Sequence, residues 1–229
     1  MTLAGRISIL FGFTLFLFGC SSENKSDYDN SSSTPQTAQN QSPQEMGQTV
    51  KDDGIQYELS GIPFDLSGKP VSIAGITFTP AIQWEDLGAA DMRAANYKFG
   101  PLVNDEQPAE MAVYYFGQGQ GGSIEANVQR WIKQMSMPDG RDPATAAIRY
   151  TMQVNGMPAH VLTLYGIFNE PVGGMMSGKS IARENYRLVG VIVEAPQGNV
   201  FFKLTGPDYT AKIMVEAFIT MVKQVQRVS

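Results

Sequence analysis

The stretch AEMAVYYFGQGQGGSIEANVQRW, residues 109–131, decides the fold because it joins three local patterns in direct succession. Ala109–Phe116 is almost entirely apolar, which predicts a strand that is buried on both faces. A glycine-rich turn follows, and Ser123 then stands where a helix N-cap is expected. Apolar residues recur at helical spacing over Ile124–Met135, so this segment is predicted to be an amphipathic helix. The two faces of the strand carry Met111, Val113 and Tyr115 on one side and Ala112, Tyr114 and Phe116 on the other.

Further strand patterns lie on both sides of this stretch. Upstream, Val71–Pro80 alternates as a strand does and leads into a turn that carries Trp84. Downstream, Asn155-Gly156 separates two apolar runs, 146–154 and 159–165, and is a strong signal for a hairpin turn. Together these patterns predict an α+β fold, an antiparallel β-sheet flanked by helices. The remaining predicted elements are a turn or strand start over Ala89–Tyr97, a long loop over Gly166–Asn185, a hairpin of 186–194 with 199–204 around Pro196–Asn199, and a helix over Asp208–Val225.

The glycine turn contains the pattern GxGxxG at Gly117, Gly119 and Gly122. With Ser123, these residues are candidates for ligand binding, because such a loop brings a pyrophosphate to a helix N-terminus in dinucleotide folds. The acidic residues at the required distance, Asp139 and Asp142, lie in a loop with no strand before it. A tight turn with positive φ angles is therefore the favoured interpretation of the pattern.

Three stretches of the chain resemble a known family. The run Phe116–Trp131 is similar to the signature FGxGxGGSxxANxxRW of a family of uncharacterised bacterial lipoproteins and secreted proteins. Phe201–Pro207 (FFKLTGP) and Met92-Arg93 are similar to further parts of that family, and the resemblance covers most of residues 71–226. More distantly, the chain resembles the PsbP/DcrB-like fold, an antiparallel sheet sandwiched between helices. Members of that fold mostly bind partners or assist the assembly of membrane complexes, so the resemblance implies a non-catalytic domain.

The N-terminus has the features of a lipoprotein signal peptide, predicted to cover residues 1–19. Arg6 precedes an uncharged apolar run, Ile7–Phe18, that is too short to cross a bilayer, which takes about 20 residues. At the end of this run, Leu17-Phe18-Gly19-Cys20 resembles a lipobox, in which the cysteine is diacylated and becomes the new N-terminus. Cys20 is the only cysteine, so lipidation leaves the mature chain without thiol chemistry. By the same resemblance, Ser21 favours the periplasmic face of the outer membrane in a Gram-negative cell.

Composition then separates a tether from a domain. Residues 20–51 are rich in Ser, Asn and Gln and carry too few apolar side chains to fold, so a disordered tether is expected. Residues 52–229 have the length of one domain with its own core. Without Arg6 the mature chain has 16 basic and 22 acidic residues, which excludes nucleic acid as a partner because phosphates attract clustered cations.

Residues that could support catalysis or bind a metal are few. His160 is the only histidine and lies in an apolar strand pattern, where a structural hydrogen bond is its usual role. Thioethers and one imidazole suit Cu(I), which makes Met157, His160, Met175 and Met176 candidate copper ligands. Methionines also fill cores, and this is the favoured interpretation here. No catalytic constellation is visible in the sequence, and no cofactor is expected.

Two functions are therefore open. In the first, the domain is a non-catalytic binding or assembly module at the cell envelope, which contacts an envelope protein through the Gly166–Asn185 loop and exposed aromatic residues around Trp84. In the second, it binds a small ligand or copper in the periplasm, through the methionine and histidine region or the glycine turn.

Overall fold

A computed structural model of the protein describes residues 63–102, 105–173 and 178–228. The predicted signal peptide, Cys20 and the predicted tether lie outside the described residues, as do Met175 and Met176. The elements in chain order are β1 (Val71–Ile73), β2 (Ile76–Phe78), β3 (Glu85–Asp86), β4 (Arg93–Phe99), β5 (Ala109–Tyr115), α1 (Ile124–Ile132), β6 (Met135–Ser136), α2 (Pro143–Ala146), β7 (Ile148–Val154), β8 (Met157–Val172), β9 (Lys179–Ala195), β10 (Gly198–Pro207), α3 (Asp208–Lys223) and β11 (Gln226–Arg227).

An eight-stranded antiparallel sheet organises the described part of the chain. Seven of its strands follow the order β3-β4-β5-β10-β9-β8-β6, and β7 also pairs with β8. A second, three-stranded sheet has the order β1-β2-β11 and joins the end of the chain to its first strands. With three helices, this arrangement confirms the predicted α+β class. None of the three helices in the described ranges combines the length and apolar character that are needed to cross a bilayer.

Successive side chains of the long strands point to opposite faces of the large sheet, and a separate core lies on each face. Val189, Val191 and Val193 of β9 pack in the core that contains the buried residues of α3. Leu188 and Ile192 face the other way and pack in the core that contains the buried side of α1. The two main helices therefore lie against opposite faces of the sheet.

The local predictions around the opening stretch are confirmed. Ser123 Oγ accepts a hydrogen bond from the Ala126 amide at 3.2 Å and caps α1, which ends three residues earlier than predicted. Asn155 and Gly156 have φ angles of 48° and 77° and form the two-residue turn between β7 and β8, as expected for an Asn-Gly hairpin.

Three sequence predictions need correction. The predicted loop Gly166–Asn185 consists mostly of the paired ends of β8 and β9, with only residues 173–178 between the strands. The predicted strand Val71–Pro80 is a short hairpin that turns at Ala74-Gly75. Trp84 is 4% exposed and packs on Tyr97 at a ring distance of 6.3 Å. It therefore provides no exposed aromatic surface.

Candidate functional site: a cleft beside helix α1

A cleft of about 840 Å³ opens on the face of the large sheet that α1 partly covers. The helix packs over β8 and β9. The neighbouring strands β5 and β10 continue beyond it and contribute Ala112, Tyr114, Phe201 and Lys203 to the lining. This volume lies within the range of about 300–1,000 Å³ that is typical of small-molecule sites.

Lys203 occupies the middle of the cleft floor. Its directly paired neighbours are Ala112 on β5 and Gly190 on β9, both of which have little or no side chain. The long lysine side chain therefore stands between two residues whose side chains are small or absent. On β4, Asn96 pairs with Ala112, so Asn96, Ala112, Lys203 and Gly190 form one row across β4, β5, β10 and β9.

Gly190 also explains how α1 approaches the sheet. A Cβ atom at this position would lie 2.2 Å from Cζ3 of Trp131 and 2.3 Å from its Cε3. The indole ring of Trp131 therefore rests on bare strand backbone. This contact sets the height of the helix above the floor and with it the depth of the cleft.

Aromatic rings form much of the cleft wall. Tyr114 and Phe116 stack with ring centroids 6.3 Å apart, and Phe168 and Tyr186 stack at 5.9 Å. Phe116 is 38% exposed, and Tyr114 and Tyr186 are only half-buried, so part of this apolar surface faces the open cleft. The aromatic residues that line the cleft are Tyr114, Phe116, Trp131, Phe168, Tyr186 and Phe201.

The ammonium group of Lys203 is held in an unusual environment. Its Nζ donates a hydrogen bond to Oε1 of Gln134 and lies 5.0 Å from the ring centroid of Phe168. Burial, together with the positive charge of Arg93, lowers the pKa of Lys203 to about 7. The carboxylate of Glu110 acts in the opposite direction. Near neutral pH this lysine therefore exchanges between its charged and neutral forms.

The other charged groups of the cleft are mostly paired with one another. Arg93 Nη1 lies 3.4 Å from Glu110 Oε2, and Arg183 Nε lies 2.8 Å from Glu170 Oε2. Arg93 Nη1 also donates to the side-chain oxygen of Asn96 at 2.8 Å. Arg130 Nη1 donates to the neutral side-chain oxygen of Asn127 at 2.7 Å, but in the described chain Arg130 has no carboxylate beside it of the kind that Arg93 and Arg183 have. Among the residues that the structure describes, Arg130 and Lys203 are thus the two cleft cations with no carboxylate in an ion pair.

The glycine turn closes one end of the cleft. Gly117, Gly119, Gly121 and Gly122 all have positive φ angles, between 72° and 98°, as the tight-turn interpretation requires. A Cβ at Gly121 would lie 2.8 Å from the ring of Phe116 and 3.0 Å from that of Phe201. Its carbonyl oxygen accepts a hydrogen bond from Asn127 Nδ2 at 2.8 Å. The turn thus holds aromatic walls and helix together.

Of the four residues that the sequence offered for ligand binding, Gly122 lines the cleft, whereas Gly117, Gly119 and Ser123 do not. The helix that follows the turn leads into β6, which pairs antiparallel with β8. A dinucleotide fold needs a parallel strand after its helix. The surroundings of the turn in the described chain therefore differ from those of a dinucleotide site.

The structure places Met157 and His160, two of the candidate copper ligands, on opposite faces of the large sheet. Met157 is 1% exposed in the core on the α3 side of the sheet. His160 points to the opposite face, because residues three apart on a strand alternate. There its Nε2 lies 2.7 Å from Glu194 Oε1, and its Nδ1 lies 3.3 Å from the hydroxyl of Thr151. Met175 and Met176 lie outside the described residues.

Sequence reasoning missed the two cations that distinguish the cleft. Lys203 has a recognisable signal, since it is a single charge inside the apolar strand run NVFFKL. A charge in such a run either faces a cavity or has a partner, because burying an isolated ammonium group is unfavourable. Arg130 and Gln134 have no comparable signal. Both lie on the polar side of a helix pattern, where solvent exposure is the ordinary expectation.

Neither a family model nor a curated protein matches the sequence. The chain is similar to the solution structure of cyanobacterial PsbP (CyanoP) from Synechocystis sp. PCC 6803, with 10% identity, 73% of this chain and 95% of that chain covered, and a TM-score of 0.43. It is also similar to the crystal structure of LpqN, involved in cell envelope biogenesis of Mycobacterium tuberculosis, with 13% identity, coverage of 74% and 88%, and a TM-score of 0.45. A PsbP protein, from the fold named in the sequence analysis, is thus among the structures that this chain resembles.

Proposed function

We propose that the protein is a lipid-anchored, non-catalytic binding protein of the cell envelope, and that its domain binds a small, partly apolar molecule in the cleft beside α1. The observation that carries this proposal is the cleft itself. It combines a volume of about 840 Å³ with aromatic walls and a few convergent polar groups, as small-molecule sites do. The lipobox resemblance at Cys20 supports the lipid-anchored part of the proposal.

Small molecules suit this cleft better than an extended peptide. Peptides often bind by adding a strand to a free sheet edge. Here the floor strand β5 pairs with β4 and β10, and β10 pairs with β5 and β9. Their backbone groups are already used within the sheet. Recognition in the cleft therefore depends on side chains.

The first of the two functions that the sequence leaves open is an assembly module that contacts an envelope protein. Its two expected contact surfaces were the Gly166–Asn185 loop and the aromatic residues around Trp84. The first consists largely of paired strands, and Trp84 is buried. Neither expected contact surface has the predicted form, whereas the cleft has the volume and lining of a small-molecule site. These observations favour the ligand-binding function over the assembly function.

The binding proposal can be tested by filling the cleft. Thr205 lines it on β10 and is half-buried, so Thr205→Phe places a ring in the binding space. Thr151 lies exposed on β7 outside the cleft, and Thr151→Phe is the matched control. Saturation-transfer NMR with small neutral, acidic and basic ring and acyl compounds should detect ligands of the native protein and of Thr151→Phe, with signals lost in Thr205→Phe. Equal signals in both variants, or none with the native protein, would contradict the proposal.

Anchoring is tested separately at Cys20. The lipobox resemblance predicts that the native chain incorporates labelled palmitate in cells and that Cys20→Ala does not. Attachment of lipid elsewhere would leave the labelling of Cys20→Ala unchanged and would refute this assignment. Fractionation of the native cells then shows whether the protein lies in the outer membrane, as Ser21 favours.

A further inference from the structure

We propose that the ligand of the cleft is an amphiphile with one acid group, whose anion is bound by Arg130 and Lys203 and whose apolar body lies against the aromatic walls. This inference rests on the proposed function and names the class of molecule that the cleft selects.

The charge pattern of the cleft supports an anion. The lining contains four basic residues and three acidic residues. Two of the acids, Glu110 and Glu170, already pair with Arg93 and Arg183. The third, Asp91, is exposed and in the described structure makes no ion pair with a cleft cation. With Lys203 charged, the lining therefore carries one more positive than negative charge, and its cations without a carboxylate partner are Arg130 and Lys203.

The neutral hydrogen-bond partners of these two cations also support an anionic ligand. Arg130 donates to the Asn127 amide oxygen, and Lys203 donates to the Gln134 amide oxygen. Each interaction positions the cation without neutralising it. A guanidinium offers five donors and an ammonium offers three, so both groups retain donors for an incoming oxyanion. Hydrogen bonds between charged groups are about twice as strong as neutral ones, so an acid adds an interaction that water does not match.

The protonation of Lys203 supports this argument. Its lowered pKa means that the surroundings of Lys203 in the cleft favour the neutral amine more than solution does. An anion bound beside the amine favours the charged form and raises that pKa. Binding above pH 7 should therefore take up a proton from solution. The titratable groups that line the cleft around Lys203 are Asp91 before β4, Arg93 from β4, Glu110 and Tyr114 from β5, Arg130 from α1, Glu170 from β8, and Arg183 and Tyr186 from β9.

The aromatic walls account for the apolar part of the ligand. The rings of Tyr114, Phe116, Trp131 and Phe168 surround the floor on which Lys203 stands. Inorganic phosphate or acetate would leave this surface in water, whereas an acyl chain or ring system would cover it. The acid can be a carboxylate or a phosphate monoester, because arginine and lysine bind both.

The experiment compares acids with neutral analogues of the same shape. Isothermal titration calorimetry is done on the full protein in phosphatidylcholine nanodiscs, with empty discs as the blank. The acids are octanoate and 2-naphthoate, their neutral analogues are octanamide and 2-naphthamide, and octyl phosphate and 2-naphthyl phosphate distinguish the two kinds of acid. At least one acid should bind about tenfold or more tightly than its amide, since a hydrogen bond to a charged group supplies that factor.

Variants then assign the anion to its cations. Lys203→Met and Arg130→Gln should each weaken the acids by about tenfold and change the amides little. Lys212 is exposed on α3, against the other face of the sheet, and Lys212→Met should bind as the native protein does. In buffers of different ionisation enthalpy, the native protein should take up a proton with the acid at about pH 8 and almost none at about pH 6. This second measurement needs no variant.

The outcomes separate this inference from the proposed function. Amides that bind as tightly as the acids, or acid binding without proton uptake at about pH 8, would overturn the anionic ligand while leaving a cleft that binds apolar molecules. Six compounds that all fail to bind would contradict both.

Discussion

The contact between Gly190 and Trp131 allows the sharpest test of how α1 and the cleft are held. Gly190→Ala places a Cβ 2.2 Å from Cζ3 of the indole, whereas ordinary carbon contacts begin near 3.4 Å, so the two groups must separate by about 1.2 Å. Gly190 and Trp131 are both buried, and neighbouring side chains limit that movement. Overpacking of this kind costs about 1–3 kcal/mol of the free energy of unfolding.

A double-mutant cycle isolates this contact. Trp131→Ala alone should cost about 3–5 kcal/mol, because a large buried ring is removed. In that background Gly190→Ala has no indole to meet, and alanine is favoured over glycine in a strand by about 0.5–1 kcal/mol. The second substitution should therefore be neutral or stabilising there. Urea unfolding of the four proteins measures the cycle, and Gly190→Ala that is equally harmful with and without Trp131 would refute the reasoning.

Three further predictions concern stability. Burial of Tyr97 and the nearby charge of Asp86 raise the pKa of Tyr97 to about 12. The native protein should therefore lose stability as the pH rises from about 10 to about 12. Urea unfolding midpoints measure this loss, and Tyr97→Phe should remove it. The pKa of Lys203 is lowered, so the stability of the native protein should rise between about pH 7 and 10.5. Lys203→Met should lack this rise, and below pH 7 it should be more stable than the native protein. Ser123→Ala should cost about 1 kcal/mol in thermal or urea unfolding, whereas Ser123→Asn keeps the cap of α1; equal losses would contradict a capping role.

Local chemistry explains which parts of the fold could be predicted. Ala109–Phe116 is an almost continuous apolar run, Ile124–Ile132 repeats apolar residues at helical spacing, and Asn155-Gly156 is a strong signal for a hairpin turn. The β8–β9 extension around Gly166–Asn185 lacks such a pattern. Its outer ends pair only with each other and are largely exposed, so no buried face imposes alternation on the sequence.

The cleft could not be predicted because it depends on strand register. Lys203, Ala112 and Gly190 are far apart in sequence and become neighbours only when β5, β9 and β10 pair. The sequence places Trp84 in a turn and predicts exposed aromatic residues around it, but Tyr97 and the α3-side core cover Trp84. Periodicity identifies the faces of a strand. It does not reveal which residues of distant strands share a row.

Native mass spectrometry of the protein released gently from the envelope tests the central claim most directly. The native protein and Thr151→Phe should carry the same additional mass, and fragmentation should release an anionic amphiphile. Thr205→Phe, with its cleft filled, should appear at its bare mass. A bare mass for all three proteins, or the same adduct on Thr205→Phe, would contradict ligand binding in the cleft beside α1.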